Sequence, residues 1–150
     1  MHMKELMIYT DGACSYNPGP GGWGAVLIYK GVEKRISGFV AETTNNRMEL
    51  QAVLSALDML KERCKVHIYT DSAYIYNAFT SDWVSKWQKN NWRNSNKKTV
   101  LNKDLWQKLI EYNNYHEIVW HKVKGHADDK YNNICDELAR GEVLKNTTIN

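Results

Sequence analysis

The sequence predicts a mixed α/β sheet with helices packed against it, and three observations support this prediction. Short apolar, β-rich runs separated by turn residues begin the chain, a segment with helical periodicity follows them, and later strand-like runs alternate with helical patterns. Closely spaced strands favour an antiparallel meander, whereas a strand, helix and strand in succession make a parallel crossover. The length of 150 residues fits one domain covering residues 1–150.

Three strands are predicted before the first helix. The first ends at Asp11-Gly12, and a loop rich in glycine and proline follows at residues 17–22. Lys30-Gly31 is a plausible tight turn between the second strand and the third. The predicted strands cover residues 5–10, 23–29 and about 33–40.

The hydrophobic period then changes from two to 3.6 residues. Residues 43–46 supply helix caps, and the apolar positions that follow have the spacing of a helix lying on a sheet, at Leu50, Val53, Leu54, Leu57 and Leu60. Strands are predicted at residues 66–70 and 117–123. Helical patterns with loops fill residues 73–112, and residues 132–144 form a closing helix.

Charge is distributed unevenly along the chain. The net charge is +3, but residues 83–103 contain six bases and no acid, so the remaining residues carry a net charge of −3. This basic segment also contains Trp83, Trp87 and Trp92, whose spacing favours packing between helices over a base-stacking platform. We expect the last few C-terminal residues to be disordered.

Several classes of protein are excluded by composition. No apolar run is long enough to span a membrane, and the N-terminus lacks the apolar core of a secretory signal. The three cysteines, Cys14, Cys64 and Cys135, are too scattered for a disulfide framework or a structural zinc site. We therefore expect a soluble, cytoplasmic protein with reduced thiols and no contact with membranes.

Two aspartates follow apolar strands directly. Asp11 and Asp71 are each preceded by Tyr-Thr, and each stands at the carboxyl end of a predicted strand, where open α/β sheets bind ligands. Each also has a structural alternative, because Asp11-Gly12 is a common turn pair and Asp71-Ser72 is suited to capping the next helix.

Two further acids lie on helix faces that point towards the sheet. A helical wheel places Glu49 on the same side as Val53 and Leu60, and Asp136 begins a similar inward-facing line on the last helix. The alternative for Glu49 is a capping box with Asn46 as the N-cap. For Asp136, a position in the first helical turn would be favoured by the helix dipole.

Four inward-facing carboxylates repel one another unless cations compensate them. Oxygen ligands favour Mg²⁺ or Mn²⁺ over zinc, and a carboxylate set that holds two such ions suits in-line attack on a phosphodiester. Together with the basic segment, this pattern indicates a nuclease.

The chain resembles type 1 ribonuclease H of the free-standing bacterial kind. The resemblance rests on motifs in the order of that family from Met7 to about Arg140: Tyr9-Thr10-Asp11-Gly12, Asn17-Pro18-Gly19-Pro20-Gly21-Gly22, Thr44-Asn45-Asn46-Arg47-Met48-Glu49-Leu50, Thr70-Asp71-Ser72, Val123-Lys124-Gly125-His126-Ala127 and Cys135-Asp136-Glu137-Leu138-Ala139. It implies a five-stranded mixed sheet with helices on both faces.

The resemblance also implies a catalytic site. Asp11, Glu49, Asp71 and Asp136 would hold two Mg²⁺ ions, with Mn²⁺ as a possible substitute, and His126 would transfer protons or help the product to leave. Substrate contacts in the family fall on the positions of Cys14, Asn17, Thr44, Asn45, Asn46 and Asn132. The basic segment matches the family's protrusion, whose phosphate contacts here would come from Lys86, Lys89, Lys97 and Lys98.

Two departures from the family pattern affect these expectations. Ala73 stands where the best-known relatives carry a polar amide that touches the substrate, so one contact is expected to be missing. Residues 128–131 differ from the common family loop, which leaves the mobility of His126 open.

The resulting hypothesis is an endoribonuclease that cuts the RNA strand of RNA·DNA hybrids and leaves 5′-phosphate and 3′-hydroxyl ends. It would work without strong sequence specificity, as a monomer with no obligate protein partner, in removing RNA primers and R-loops. Three alternatives are a DNA-directed metal nuclease such as a junction resolvase, a hybrid-binding module with an inactive site, and a fragment of a reverse transcriptase.

Overall fold

A five-stranded sheet forms the centre of the computed structural model, which describes residues 3–124 and 129–147. The strands are β1 (Lys4–Cys14), β2 (Gly19–Tyr29), β3 (Val32–Thr43), β4 (Cys64–Thr70) and β5 (Glu117–Lys122). Their spatial order is β3-β2-β1-β4-β5. Strands β1, β2 and β3 pair antiparallel, whereas β4 is parallel to both β1 and β5, which confirms the predicted meander and crossover.

Helices cover both faces of the sheet, as predicted. They are α1 (Asn45–Asp58), α2 (Ala73–Thr80), α3 (Trp83–Lys89), α4 (Lys103–Tyr115) and α5 (Lys130–Thr147). Alternate side chains of β2 belong to the core clusters on opposite faces of the sheet. Ala25 and Leu27 join the core beneath α1 and α4. Val26 and Ile28 pack with Cys135 of α5. This alternation follows from the two-residue period of a strand. Within the described ranges, no helix is long and apolar enough to cross a membrane.

The predicted apolar stripe of α1 faces the core. Leu50, Val53, Leu54 and Leu57 are all buried, and Leu60, which follows the end of the helix, packs against the same cluster. The tight turn between β2 and β3 is also confirmed, with φ of 49° at Lys30 and 80° at Gly31. Two left-handed residues in succession are typical of the turn that joins twisted antiparallel strands.

Strands β1 and β2 continue further than the sequence predicted. Asp11-Gly12 does not end β1, because the antiparallel ladder runs on through Ala13↔Gly22 to Cys14↔Gly21. The glycines of β2 belong to this ladder and allow α5 to approach: a Cβ at Gly22 would lie 2.2 Å from the carbonyl oxygen of Ala139. The expected loop at residues 17–22 is therefore mainly strand, and its small residues are required by packing.

Two helix starts also differ from the prediction. The N-cap of α1 is Thr44, whose hydroxyl accepts a hydrogen bond from the Arg47 backbone N–H at 3.2 Å. A capping box with Asn46 as the N-cap is therefore wrong, and Glu49 lies in the second turn. Helix α5 begins at Lys130 rather than Asn132, so Asp136 also lies in a second turn, where the helix dipole contributes little.

Candidate active site

Three of the four predicted carboxylates meet at one place on the sheet. Asp11 lies in β1, Asp71 directly follows β4, and Glu49 lies on α1 above them. The parallel register, which pairs Ile8 with Ile68 and Tyr9 with Tyr69, carries the two aspartates to the same level. One carboxylate oxygen from each of the three residues lies within 4.8 Å of the others.

A close contact between α1 and β1 brings Glu49 to this cluster. A Cβ at Gly12 would lie 2.6 Å from the backbone nitrogen of Glu49, so only glycine allows the helix to pack this closely. The Gly12 N–H also donates a hydrogen bond of 2.9 Å to Oδ1 of Asp11, which orients that carboxylate. Residue 12 therefore serves both the packing of the helix and the geometry of the site.

The three carboxyl groups of the cluster have raised pKa values. Asp11 is only 6% exposed, and burial followed by the charge of Asp71 raises its pKa to about 7. Burial and the charges of Asp11 and Asp71 raise the pKa of Glu49 well above its usual range. Burial also raises the pKa of Asp71, although the positive charge of Lys122 at the end of β5 opposes this shift. Within the described residues, three mutually repelling acids therefore meet with little compensating positive charge.

These donors fit a divalent cation. Oε2 of Glu49 is buried and has no hydrogen-bond partner among the residues that the structure describes, nor does the buried hydroxyl of Thr10. A buried polar oxygen without a partner is costly, and a cation would satisfy it. Because all three donors are carboxylate oxygens, the cluster suits a hard ion better than zinc.

Asp136 stands beside this cluster rather than within it. Its charge contributes to the raised pKa values of Asp11 and Asp71, so it lies within electrostatic reach. Its Oδ2 accepts a hydrogen bond of 2.9 Å from Nε of Arg140 and lies 2.7 Å from that guanidinium's Nη2. Arg140 is not among the predicted site residues, although the spacing of four residues from an acid on a helix is a recognisable signal.

His126 and the other residues of 125–128 lie outside the described residues. Asp129, just after them, precedes the first residue of α5, and its Oδ1 accepts a hydrogen bond of 3.0 Å from the backbone N–H of Asn132. The expectation for His126 therefore stays a prediction.

The predicted substrate-contacting residues near the start of α1 form one patch. Oδ1 of Asn17 accepts a hydrogen bond of 3.1 Å from the backbone N–H of Asn45, which joins the glycine-rich segment to the helix. The thiol of Cys14 lies 2.7 Å from the carbonyl oxygen of Tyr16 and 3.4 Å from that of Thr43, next to the Thr44 cap. Asn17, Asn45 and Asn46 are exposed, so their side chains are accessible to a ligand.

Two further positions bear on the predicted substrate contacts. Asn132 is buried on α5 at 6% exposure, so it offers little surface to a duplex. Ala73, where the sequence analysis expected a contact to be missing, is exposed at the start of α2. The hydroxyl of Ser72 caps that helix by accepting from the Ile75 N–H at 3.2 Å, so Asp71 is not needed as a cap.

The basic segment projects its lysines into solvent and turns its tryptophans inward. The Trp87 ring lies 5.1 Å from that of Trp106 on α4 and 5.9 Å from that of Trp92, so these rings pack elements together, as predicted. Four exposed lysines form no ion pair with any described residue: Lys86, Lys89, Lys97 and Lys98.

A salt bridge next to the basic segment ties helix α4 to the helix that carries Glu49. Arg47 of α1 makes two hydrogen bonds to Asp104 of α4, at 3.0 and 2.8 Å, and a third to Oδ1 of Asn102 at 3.2 Å. The Arg47 guanidinium lowers the pKa of Asp104 to about 2. The sequence analysis did not identify this pair, because residues 47 and 104 become neighbours only in the folded chain.

Comparison with known proteins agrees with this geometry. The family model described as RNase H matches residues 3–143. A ribonuclease H of Thermoanaerobacter sp. is 59% identical over 149 residues, which cover 99% of this chain and 96% of that protein. A ribonuclease H of Caldicellulosiruptor saccharolyticus is 60% identical over 141 residues, which cover 94% of this chain and 97% of that protein.

Solved structures share the fold. The crystal structure of LC9-RNase H1, described as a type 1 RNase H with the type 2 active-site motif, aligns with a TM-score of 0.84 at 30% identity over 98% of this chain and 75% of that one. LC11-RNase H1, crystallised with an RNA/DNA hybrid, aligns with a TM-score of 0.70 at 24% identity over 95% of this chain and 99% of that one. Since the family model and these relatives cover nearly the whole length, the chain belongs to the ribonuclease H family of enzymes.

Proposed function

We propose that this enzyme hydrolyses the RNA strand of RNA·DNA hybrids, using two Mg²⁺ ions and leaving 5′-phosphate and 3′-hydroxyl ends. The observation that carries the proposal is the convergence of Asp11, Glu49 and Asp71 from three elements, with one buried carboxylate oxygen left unpartnered in the described structure. A related protein of the same fold was crystallised with an RNA/DNA hybrid, which supports the choice of substrate.

Asp11, Glu49 and Asp71 would hold the ions, and Asp136 would complete the set by leaving its pair with Arg140. Mn²⁺ offers the same preference for oxygen ligands and is a possible substitute. Bound divalent ions supply Lewis-acid chemistry, which strengthens water as a nucleophile and stabilises charge on the leaving oxygen. Hydrolysis then forms a bond from the water oxygen to phosphorus and breaks the bond from phosphorus to the 3′-oxygen.

The chain's own residues would position the duplex. Amide side chains such as Asn17, Asn45 and Asn46 both donate and accept hydrogen bonds, which suits recognition of a 2′-hydroxyl. The Thr44 hydroxyl, which accepts from the Arg47 N–H, still has its own proton to donate to a phosphate of the DNA strand. Cys14 and Asn132 complete the proposed contacts, although Asn132 would need to become more accessible.

Proton transfer and product release are proposed for His126, which ordinarily titrates near neutral pH. The exposed lysines of residues 83–103 would contact phosphates of the DNA strand, which positions the duplex without reading its sequence. We further propose that the enzyme works as a monomer. RNA primers and R-loops both present the hybrid that this site would cut.

The proposal is tested by incubating matched, end-labelled RNA·DNA, RNA·RNA and DNA·DNA duplexes with the enzyme, with and without Mg²⁺. We expect cleavage of only the RNA strand of the hybrid, only with Mg²⁺, and no cleavage by Asp11→Asn. Cutting of DNA·DNA would favour a DNA-directed nuclease. Binding of the hybrid without cleavage by the intact chain would contradict the assignment of an active hydrolytic site.

A further inference from the structure

Part of one sheet face is left uncovered by the helices that the structure describes. Helix α5 packs on β1, β2 and β3, but on that side no described helix packs over β4 and β5. Alternation along the strands puts His67, Tyr69 and His121 on this open face. Their rings form part of a stack, in which Tyr69 lies 4.4 Å from His121 and 4.5 Å from Tyr9.

Two imidazoles on this face turn ring nitrogens towards each other. Nδ1 of His67 lies 3.0 Å from Nε2 of His121. The pair spans two hydrogen-bonded parallel strands, in which His67 is opposite Val119 and His121 is opposite Tyr69. The stacking on Tyr69 and the strand register both restrict His121, so this separation is built into the sheet and does not depend on a loop.

The other nitrogen of His67 has a carboxylate partner. Nε2 of His67 lies 2.7 Å from Oε2 of Glu5 on β1. A carboxylate at this distance favours the tautomer with its proton on Nε2, which leaves the lone pair of Nδ1 directed at His121. Metal-binding histidines in proteins are commonly oriented by such a carboxylate on the nitrogen away from the metal.

We propose that His67 Nδ1 and His121 Nε2 form a binding site for a borderline transition-metal dication such as Zn²⁺, oriented by Glu5. Two bonds of about 2.0–2.1 Å from one tetrahedral zinc place their nitrogens roughly 3.3 Å apart, so the pair needs to open by a few tenths of an ångström and each ring needs to tilt until its lone pair points at the ion. The proton now shared between the rings moves to Nδ1 of His121, so both imidazoles stay neutral. Water completes the coordination shell.

The donors distinguish this site from the carboxylate cluster. Imidazole nitrogen suits Zn²⁺, Ni²⁺ and Cu²⁺, whereas Mg²⁺ prefers oxygen, so excess Mg²⁺ should not compete at the histidine pair. Burial lowers the pKa of His121, which favours the neutral imidazole that a metal ligand must be. The inference does not depend on the proposed nuclease reaction.

The decisive experiment follows the imidazole nitrogens of the ¹⁵N-labelled full chain by NMR while Zn²⁺ is added in the presence of excess Mg²⁺. We expect the resonances of Nδ1 of His67 and Nε2 of His121 to shift together and to saturate at one equivalent. If these two nitrogens do not respond while other histidines do, the site is wrong. This readout needs no variant and no activity.

Calorimetric titration of variants with Zn²⁺ provides a second test of the proposal. We expect His121→Gln to weaken binding at this site at least tenfold and Glu5→Gln to weaken it less, since Glu5 only orients His67. Glu117→Gln is the matched control, because Glu117 shares the face and the strand with His121 but lies outside the pair. Unchanged affinity in a folded His121→Gln variant would overturn the proposal.

Discussion

At the scale of the residue, Asp11 shows how a carboxylate of the candidate site can oppose folding. It is almost fully buried, its Oδ1 accepts a hydrogen bond from the Gly12 N–H, and its pKa is raised to about 7. A group whose pKa is higher in the folded than in the unfolded chain makes folding less favourable once the unfolded chain has lost its proton. Without divalent ions, the buried Asp11 carboxyl therefore lowers the free energy of unfolding once the unfolded chain has lost its proton.

We expect Asp11→Asn to stabilise the metal-free protein while abolishing cleavage. The unfolded chain loses the Asp11 proton near pH 4, whereas the folded chain keeps it until about pH 7, so the stability of the wild type falls across that window. One pKa unit is worth about 1.4 kcal/mol, so the variant should gain about 2–4 kcal/mol at pH 8. Urea unfolding of both proteins in EDTA, at pH 4 and at pH 8, measures the difference between their free energies of unfolding.

Asp104→Asn is the matched control for this measurement, and it should have the opposite sign. The Arg47 guanidinium lowers the pKa of Asp104 to about 2, so the ion pair contributes stability above pH 4 that is lost as the pH falls towards 2. The pair is largely exposed, so the loss at neutral pH should be below about 1 kcal/mol. A loss of stability in Asp11→Asn at pH 8 would contradict the electrostatic account.

At the scale of the element, glycines set how closely the helices approach the sheet. A Cβ at Gly22 would lie 2.2 Å from the Ala139 carbonyl, and one at Gly24 would lie 2.6 Å from that of Cys135. Both contacts fall on the part of α5 that carries Asp136. The position of that carboxylate relative to β1 is therefore fixed by the absence of side chains on β2.

We expect Gly22→Ala to displace α5 and to reduce the free energy of unfolding by about 2–4 kcal/mol, because backbone at 2.2 Å has to move. Cleavage should fall as well, through a lower kcat, since Asp136 moves with the helix. Gly141→Ala is the control: nothing lies within 4 Å of its Cβ, and alanine inside a helix should stabilise by roughly 0.5–1 kcal/mol. A Gly22→Ala variant that unfolds at the same temperature as the wild type would contradict the packing argument.

The basic segment acts as an element whose tryptophans are structural and whose exposed lysines form no ion pair with any described residue. Replacing Lys97 and Lys98 should raise KM for the hybrid several-fold and flatten its dependence on salt, because fewer counterions are released on binding. Lys97 has a φ of 61°, so Asn, which tolerates that conformation, is the better substitution there, combined with Lys98→Gln.

The control for this experiment removes two exposed lysines elsewhere, by Lys61→Gln and Lys108→Gln. It changes the net charge equally but leaves the protrusion intact. Steady-state cleavage over a range of salt concentrations compares the two double variants. Equal salt slopes in both would show that net charge, and not the segment, governs binding.

At the scale of the whole molecule, the net charge of +3 conceals two regions of opposite sign. The lysines and arginine of residues 83–103 contrast with a body of net charge −3 that contains the buried carboxylates. Two bound dications would reverse the sign of that body. The ions therefore bear on both the stability of the fold and the attraction of a polyanionic duplex.

We expect Mg²⁺ to raise the unfolding temperature of the wild type, in proportion to the logarithm of its concentration once the sites are saturated, because only the folded chain assembles the cluster. The rise should be much smaller in Asp11→Asn. Differential scanning calorimetry with Mg²⁺ at constant ionic strength separates binding from screening. An equal rise of the unfolding temperature in both proteins would show that the stabilising ions bind outside the carboxylate cluster.

Local patterns in the sequence determined most of the fold class. The two-residue period of the strands, the helical stripe from Leu50 to Leu57 and the Lys30-Gly31 turn depend on neighbours along the chain, so they could be predicted from it. The same holds for the inward direction of Glu49 and the placement of Asp71 after a strand. Patterns among residues that are close in sequence specify helices and strands and the faces that these elements bury.

Only the tertiary structure decided features that depend on contacts between distant segments. The extension of β1 past Asp11 requires the glycines of β2 to pair with it, and those glycines are needed because α5 packs on them. The Arg47–Asp104 bridge joins residues far apart in sequence, and the histidine pair arises from the register of β4 and β5. The sequence by itself determined which residues can do chemistry. The packing of distant elements decided which of them meet, because burial and close approach are properties of the folded chain.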